Sequence, residues 1–113
     1  MSYKPYKKFI DGLVELSDSV EARRVLTGWR HPEPSPERRK VEDFLSALDD
    51  DQRQILASLL QEERTGGIHD TLAFLESEEY TISDDKGRAF KGSPFSELHF
   101  DYAARLEGDP WPE

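Results

Sequence analysis

The sequence predicts a mainly α-helical fold, a small bundle of four to six helices with a minor β-hairpin near residues 80–91. Three observations carry this reading. Apolar residues recur at i, i+3, i+4 and i+7 in several stretches, the spacing of one helix face. Between them lie helix-start signals, a serine before a proline or an aspartate followed three residues later by glutamate or glutamine. One segment alternates apolar and polar residues about a glycine-bearing turn. A chain of 113 residues holds one modest core, so residues 1–113 read as a single helical domain with a Pro-rich connector at 31–36 and an extended tail at 108–113.

Tyr6, Phe9, Ile10, Leu13 and Val14 line one face of a first helix beginning near Pro5, a residue suited to a first turn. Around Ser17 the pattern loosens. Asp18 with Glu21 is the expected cap of a fresh start carrying Val20, Ala22, Val25 and Leu26 to a stop at Gly28, either as the bend of one helix or as a second helix. His31-Pro32-Glu33-Pro34-Ser35-Pro36 cannot be helical throughout, because alternating prolines remove donors and push their predecessors toward extended geometry. Ser35 and Pro36 then launch Val41, Phe44, Leu45 and Leu48, and Asp49 with Gln52 resembles a capping box for Ile55, Leu56, Leu59 and Leu60.

That helix is expected to end at Arg64. Gly66 and Gly67 are read as a tight reversal, with Ile68, Leu72 and Leu75 on a following antiparallel helix that starts near His69 and Asp70. Tyr80-Thr81-Ile82, Asp84 to Gly87 and Arg88-Ala89-Phe90 read as a short hairpin. Ser93-Pro94 repeats the cap chemistry of Ser35-Pro36, and Leu98, Tyr102 and Leu106 form a helical stripe. Residues 97–102 also alternate like a strand; the helix is preferred because residues 102–107 are rich in Ala, Arg and Leu.

Formal charge is −9 and unevenly spread: residues 1–41 carry nine Lys or Arg against six acids, and residues 42–113 carry six against eighteen. An acidic surface opposes non-specific nucleic-acid binding, which needs cations to displace phosphate counterions, so no nucleic-acid partner is expected. The basic groups Lys4, Lys7, Lys8 and Arg38-Arg39-Lys40 read as solvated helix faces. No cysteine is present, which removes disulfides, thiolate metal sites and thiol nucleophiles. No stretch has signal-peptide or membrane-span character, so the expectation is a cytoplasmic protein without a membrane partner.

Gly66-Gly67-Ile68-His69-Asp70, Pro94-Phe95, Glu97-Leu98-His99, Asp101-Tyr102, Ala104-Arg105-Leu106 and Gly108-Asp109-Pro110-Trp111-Pro112 resemble a family of small bacterial proteins of unknown function, over roughly the C-terminal half. The resemblance implies a bacterial cytoplasmic origin and no particular activity.

Of three histidines, His69 adjoins Asp70 and His99 lies two residues before Asp101. Imidazole and carboxylate are what a catalytic zinc, manganese or iron site needs, so His69, Asp70, His99 and Asp101 are the catalytic candidates, with Arg105 available to hold an anionic substrate. The metal candidates are His69, His99 and Asp101. The spacing matches no H-E-x-x-H, nucleophile-elbow, phosphate-loop or calcium-loop pattern. Structural roles compete: Asp70 would suit a first helical turn, and a histidine ring readily donates to a neighbouring carbonyl or carboxylate. Trp29, Trp111 and Tyr102 are the candidate interaction anchors, since large aromatics either pin their own chain or carry interface energy.

The resulting functional reading is a non-enzymatic interaction or regulatory protein with a protein partner or homodimer and no cofactor. The alternatives are an enzyme with a His/Asp site, acid–base or dependent on one divalent metal ion, and an acidic immunity-type neutralising protein.

Overall fold

The computed structural model describes residues 3–112. Along the chain lie α1 (Lys4–Leu16), α2 (Val20–Thr27), α3 (Pro36–Ser46), α4 (Asp50–Ser77), β1 (Thr81–Ser83), β2 (Ala89–Lys91) and α5 (Leu98–Leu106). Among the described residues, five helices and a small antiparallel hairpin match the expected mainly α class, with Thr81 opposite Lys91 and Ile82 opposite Phe90.

Most helix starts follow local chemistry. Pro5 sits in the first turn of α1. Ser35 Oγ accepts from the Arg38 amide at 3.1 Å, and Asp49 and Gln52 exchange side-chain bonds with each other's amides at 2.8 and 2.9 Å, a complete capping box. The chain breaks between α1 and α2, which makes two helices of the first stretch. The cap of α2 is Ser19, which accepts from Ala22 N at 3.1 Å, and not the expected Asp18. Asp18 instead pairs with Arg23 at 3.7 Å on the exposed surface. Gly28 closes α2 at φ 71°, a conformation that costs glycine nothing sterically. The Pro-rich connector is non-helical as expected and is held at its start by buried Glu42, which accepts from the His31 amide at 2.7 Å.

The reversal expected at Gly66-Gly67 is absent. α4 continues through both glycines for 28 residues, so His69 and Asp70 lie in mid-helix and not at a helix start. Neither glycine adopts positive φ. The physical reason is that Leu60, Ile68 and Leu72 stay in helical register across the glycines, and Ile68 and Leu72 are held by the core with Tyr6, Ile10, Leu98 and Tyr102. That burial outweighs the helix penalty of two glycines, roughly 1 kcal/mol each.

A second correction concerns Ser93-Pro94. α5 starts only at Leu98, with Glu97 at the cap position and no side-chain cap bond. Ser93 Oγ accepts from the amides of Phe95 and Ser96 at 2.9 and 3.0 Å, building a turn ahead of the helix. The helical reading of residues 98–106 holds, because Leu98 and Tyr102, one turn apart, are both fully buried.

Packing divides the chain into two compact units, residues 1–17 with 65–113 and residues 18–64. In the first, Tyr6 and Ile10 of α1, Leu72 of α4 and Leu98 and Tyr102 of α5 form the buried core, and Ile82 and Phe90 bring the hairpin against it. In the second, Ala22, Val25 and Ala57 are the buried apolar residues, flanked by Leu45, Leu56 and Leu60.

A Cβ built on Gly66 or Gly67 meets no heavy atom within 4 Å. Gly66→Ala and Gly67→Ala are therefore expected each to raise unfolding free energy by about 1 kcal/mol in urea titrations. Destabilisation by either substitution would mean that α4 does not stay helical there in solution.

Candidate functional site

Folding brings His69 and His99 together. Their rings meet edge to face with centroids 5.1 Å apart. His69 Nδ1 lies 3.3 Å from the carboxylate of Asp70, which is well exposed. His99 Nε2 lies 3.3 Å from Glu97, and its ring packs on Phe100 at 4.3 Å. His99 Nδ1 is buried with no hydrogen-bond partner among the described residues. Glu97 was legible only as an i, i+2 neighbour of His99. It becomes a partner because it precedes the helix in extended conformation.

Asp101 does not join the histidines. Two residues on an α-helix are separated by about 200°, so with His99 on one side Asp101 turns into the core, where the hydroxyls of Tyr6 and Ser93 both donate to its Oδ2. Burial, then the hydrogen bond to Asp101, pushes the Tyr6 hydroxyl far above its ordinary value, so it remains a proton donor. Tyr102 is likewise internal, its hydroxyl paired with Ser17, which in turn donates to Leu13 O at 2.8 Å. Among the described residues no group of three or more His, Asp or Glu side chains is placed to hold a metal ion.

Arg105 is engaged by Asp11, a residue the sequence did not single out. Its Nε donates to Asp11 Oδ1 at 2.8 Å and its second fork to Oδ2 at 3.3 Å. Trp111 completes the cluster: its indole N–H donates to Asp11 at 3.2 Å and its ring lies 5.0 Å from the guanidinium. The same ring packs on Tyr6 and Phe95, which seats residue 111 of the tail on the first unit's core. Partial burial alone would raise the Asp11 pKa, but the Arg105 and Trp111 hydrogen bonds and the Arg105 charge outweigh it and hold the carboxyl below its ordinary value. The signal that could have found Asp11 is its place three residues before Val14, beside the apolar face of α1.

Two surfaces stand apart from these internal networks. In the first unit a groove of about 750 Å3 runs between α1 and the hairpin, floored by Phe9, Gly12, Leu13, Ile82 and Phe90 and edged by Lys4, Lys8, Asp84, Asp85 and Arg88. In the second unit Phe44, Ile55 and Leu59 are 61%, 63% and 56% exposed. Trp29 of that unit is part-exposed, with the Arg24 guanidinium 4.1 Å from its ring centroid and His31 at its edge.

Residues 1–113 match a family of unknown function (DUF6547). The chain belongs to DUF6547. The match takes in the N-terminal half as well, beyond the C-terminal segments that carried the resemblance, so the family spans both compact units. No curated protein and no solved structure matches the chain. No helix of the described residues is long and apolar enough to cross a membrane.

The depressed Asp11 carboxyl sets a pH dependence. A carboxyl whose folded value lies below its unfolded one adds stability that is present above the unfolded value, about 3.9, and is lost as pH falls through the folded value. Asp11 and Arg105 side chains are 40% and 27% exposed, so solvent screening limits the effect to about 1 kcal/mol. Asp11→Asn is expected to lower stability by about that much near neutral pH, with the two proteins converging as pH falls through the depressed folded value of Asp11. A difference that stayed constant with pH would assign the loss to packing and not to charge.

Proposed function

We propose that this DUF6547 protein is a non-enzymatic interaction protein that acts as a homodimer, joined through the α3 and α4 faces of residues 18–64. The observation that carries this reading is an inversion of burial within that unit. Its buried apolar residues are Ala22, Val25 and Ala57, while the larger Phe44, Ile55 and Leu59 stay more than half exposed. Leaving that much apolar surface in water forgoes roughly 1.5–3 kcal/mol per side chain, which contact with another surface recovers.

The order of residues along the two helices favours a second copy as that surface. On α4, Asp51, Ile55, Leu59 and Glu63 recur every four residues, an apolar stripe with an acid at each end. On α3, Lys40 and Phe44 share a side one turn apart, with Val41 exposed and Arg39 adjacent. None of Arg39, Lys40, Asp51 and Glu63 makes an ion pair among the described residues. A basic-apolar stripe and an acidic-apolar stripe on one unit are self-complementary, which is what a two-fold interface requires. The internal use of Asp101 and Arg105 also supports a role other than catalysis for these two candidates.

Sedimentation or light scattering across the micromolar range is expected to report twice the chain mass of 13.0 kDa. Phe44→Glu and Leu59→Lys should each weaken association at least about tenfold, about 1.4 kcal/mol, and added salt should weaken the unmodified dimer. A monomer throughout that range, or dimerisation indifferent to both substitutions, would sink the proposal.

A further inference from the structure

Gly12 sits within α1, where glycine is unfavourable relative to alanine. Nothing in the fold requires it, since a Cβ at this position meets no heavy atom within 4 Å. Its effect is on the groove: without a side chain at residue 12, the cleft between α1 and the hairpin reaches the helix backbone, flanked by Phe9 and Leu13 and faced by Phe90. Phe9 and Phe90 pack at 5.3 Å and form an aromatic floor. The volume of about 750 Å3 falls within the range of small-molecule sites.

The edge of the groove supplies the polar specificity. Arg88 is neutralised by Asp84, with Nε to Oδ2 at 2.6 Å, and Asp84 Oδ1 also accepts from the amides of Lys86 and Arg88. Lys8, one helical turn before Gly12, is exposed and makes no ion pair among the described residues. The edge thus carries three cations against two acids on a chain whose net charge is −9. The Lys8 ammonium is a compact point charge that pairs with a singly charged carboxylate, and the one arginine at this edge, whose forked donors would favour a phosphate, is already engaged by Asp84. From Lys8 to Leu16 the helix runs about 12 Å, the reach of a medium-length acyl chain.

We propose that this groove binds a small hydrophobic carboxylate, with the apolar body over Phe9, Gly12 and Phe90 and the carboxylate paired with Lys8. The site lies wholly in the unit of residues 1–17 and 65–113, so it stands independently of the dimer surface.

Isothermal titration with decanoate, decan-1-ol and decylammonium tests the assignment. Decanoate should bind saturably at one per chain, at least about tenfold more tightly than either control, and should shift the backbone amide resonances of Gly12 and Phe90. Lys8→Glu should remove at least about tenfold of that affinity. Gly12→Leu should abolish binding while leaving the thermal midpoint unchanged or higher, since the new side chain enters open space in a helix. Phe44→Glu should bind decanoate as the unmodified protein does, which separates this test from that of the dimer. No saturable decanoate binding, equal binding of the alcohol or amine, or retained binding in Gly12→Leu would overturn the proposal.

Discussion

The first unit depends on the placement of one buried carboxyl group. Asp101 sits inside the core, and a carboxyl there is tolerated only with donors on it. Tyr6 brings a hydroxyl from α1 and Ser93 brings one from the turn before α5. Because both must reach the same oxygen, three separate parts of the chain are fixed against one another with little angular freedom. Ser93 also holds the amides of Phe95 and Ser96, so the carboxyl reaches into the shape of the turn itself. Around this point the aromatic rings of Phe90, Phe95 and Trp111 close over Tyr6 and keep water from competing for its hydroxyl.

The second unit has no such centre. Its buried apolar side chains are small, its polar anchor is Glu42 holding the start of the Pro-rich connector, and its larger apolar groups Phe44, Ile55 and Leu59 face outward. The two units therefore offer different surfaces: one closes around its own core and leaves a groove, the other leaves apolar stripes bordered by unpaired charge. Membership of a single family across the full length indicates that both belong to one inherited chain. In the proposed reading, residues 18–64 join copies and the groove of the other unit takes a ligand.

Electrostatics reinforce this division. The net negative charge gives the molecule a field that repels anions at a distance. Around the groove the balance is reversed locally, because Asp84 is taken by Arg88 and by two backbone amides while Lys8 remains available. Screening over about 8–10 Å at moderate salt lets such a local reversal act on a bound group in spite of the overall sign.

The sequence by itself determined what depends on residues close in the chain. The helix faces, the Ser35 cap, the Asp49 and Gln52 box, the non-helical prolines and the hairpin about Asp84 to Gly87 all follow from local hydrogen bonding and periodicity. Tertiary structure decided whatever set a local preference against distant burial. Gly66 and Gly67 signal a turn locally, yet Ile68 and Leu72, packed in the core with residues of α1 and α5, keep them helical. His69 meets His99, and Asp11 claims Arg105 from 94 residues away, through contacts that leave no mark in local spacing. Asp101 reads as a partner of His99 in sequence and becomes a partner of Tyr6 because α5 must bury Leu98 and Tyr102, and that rotation of the helix carries Asp101 inward with them.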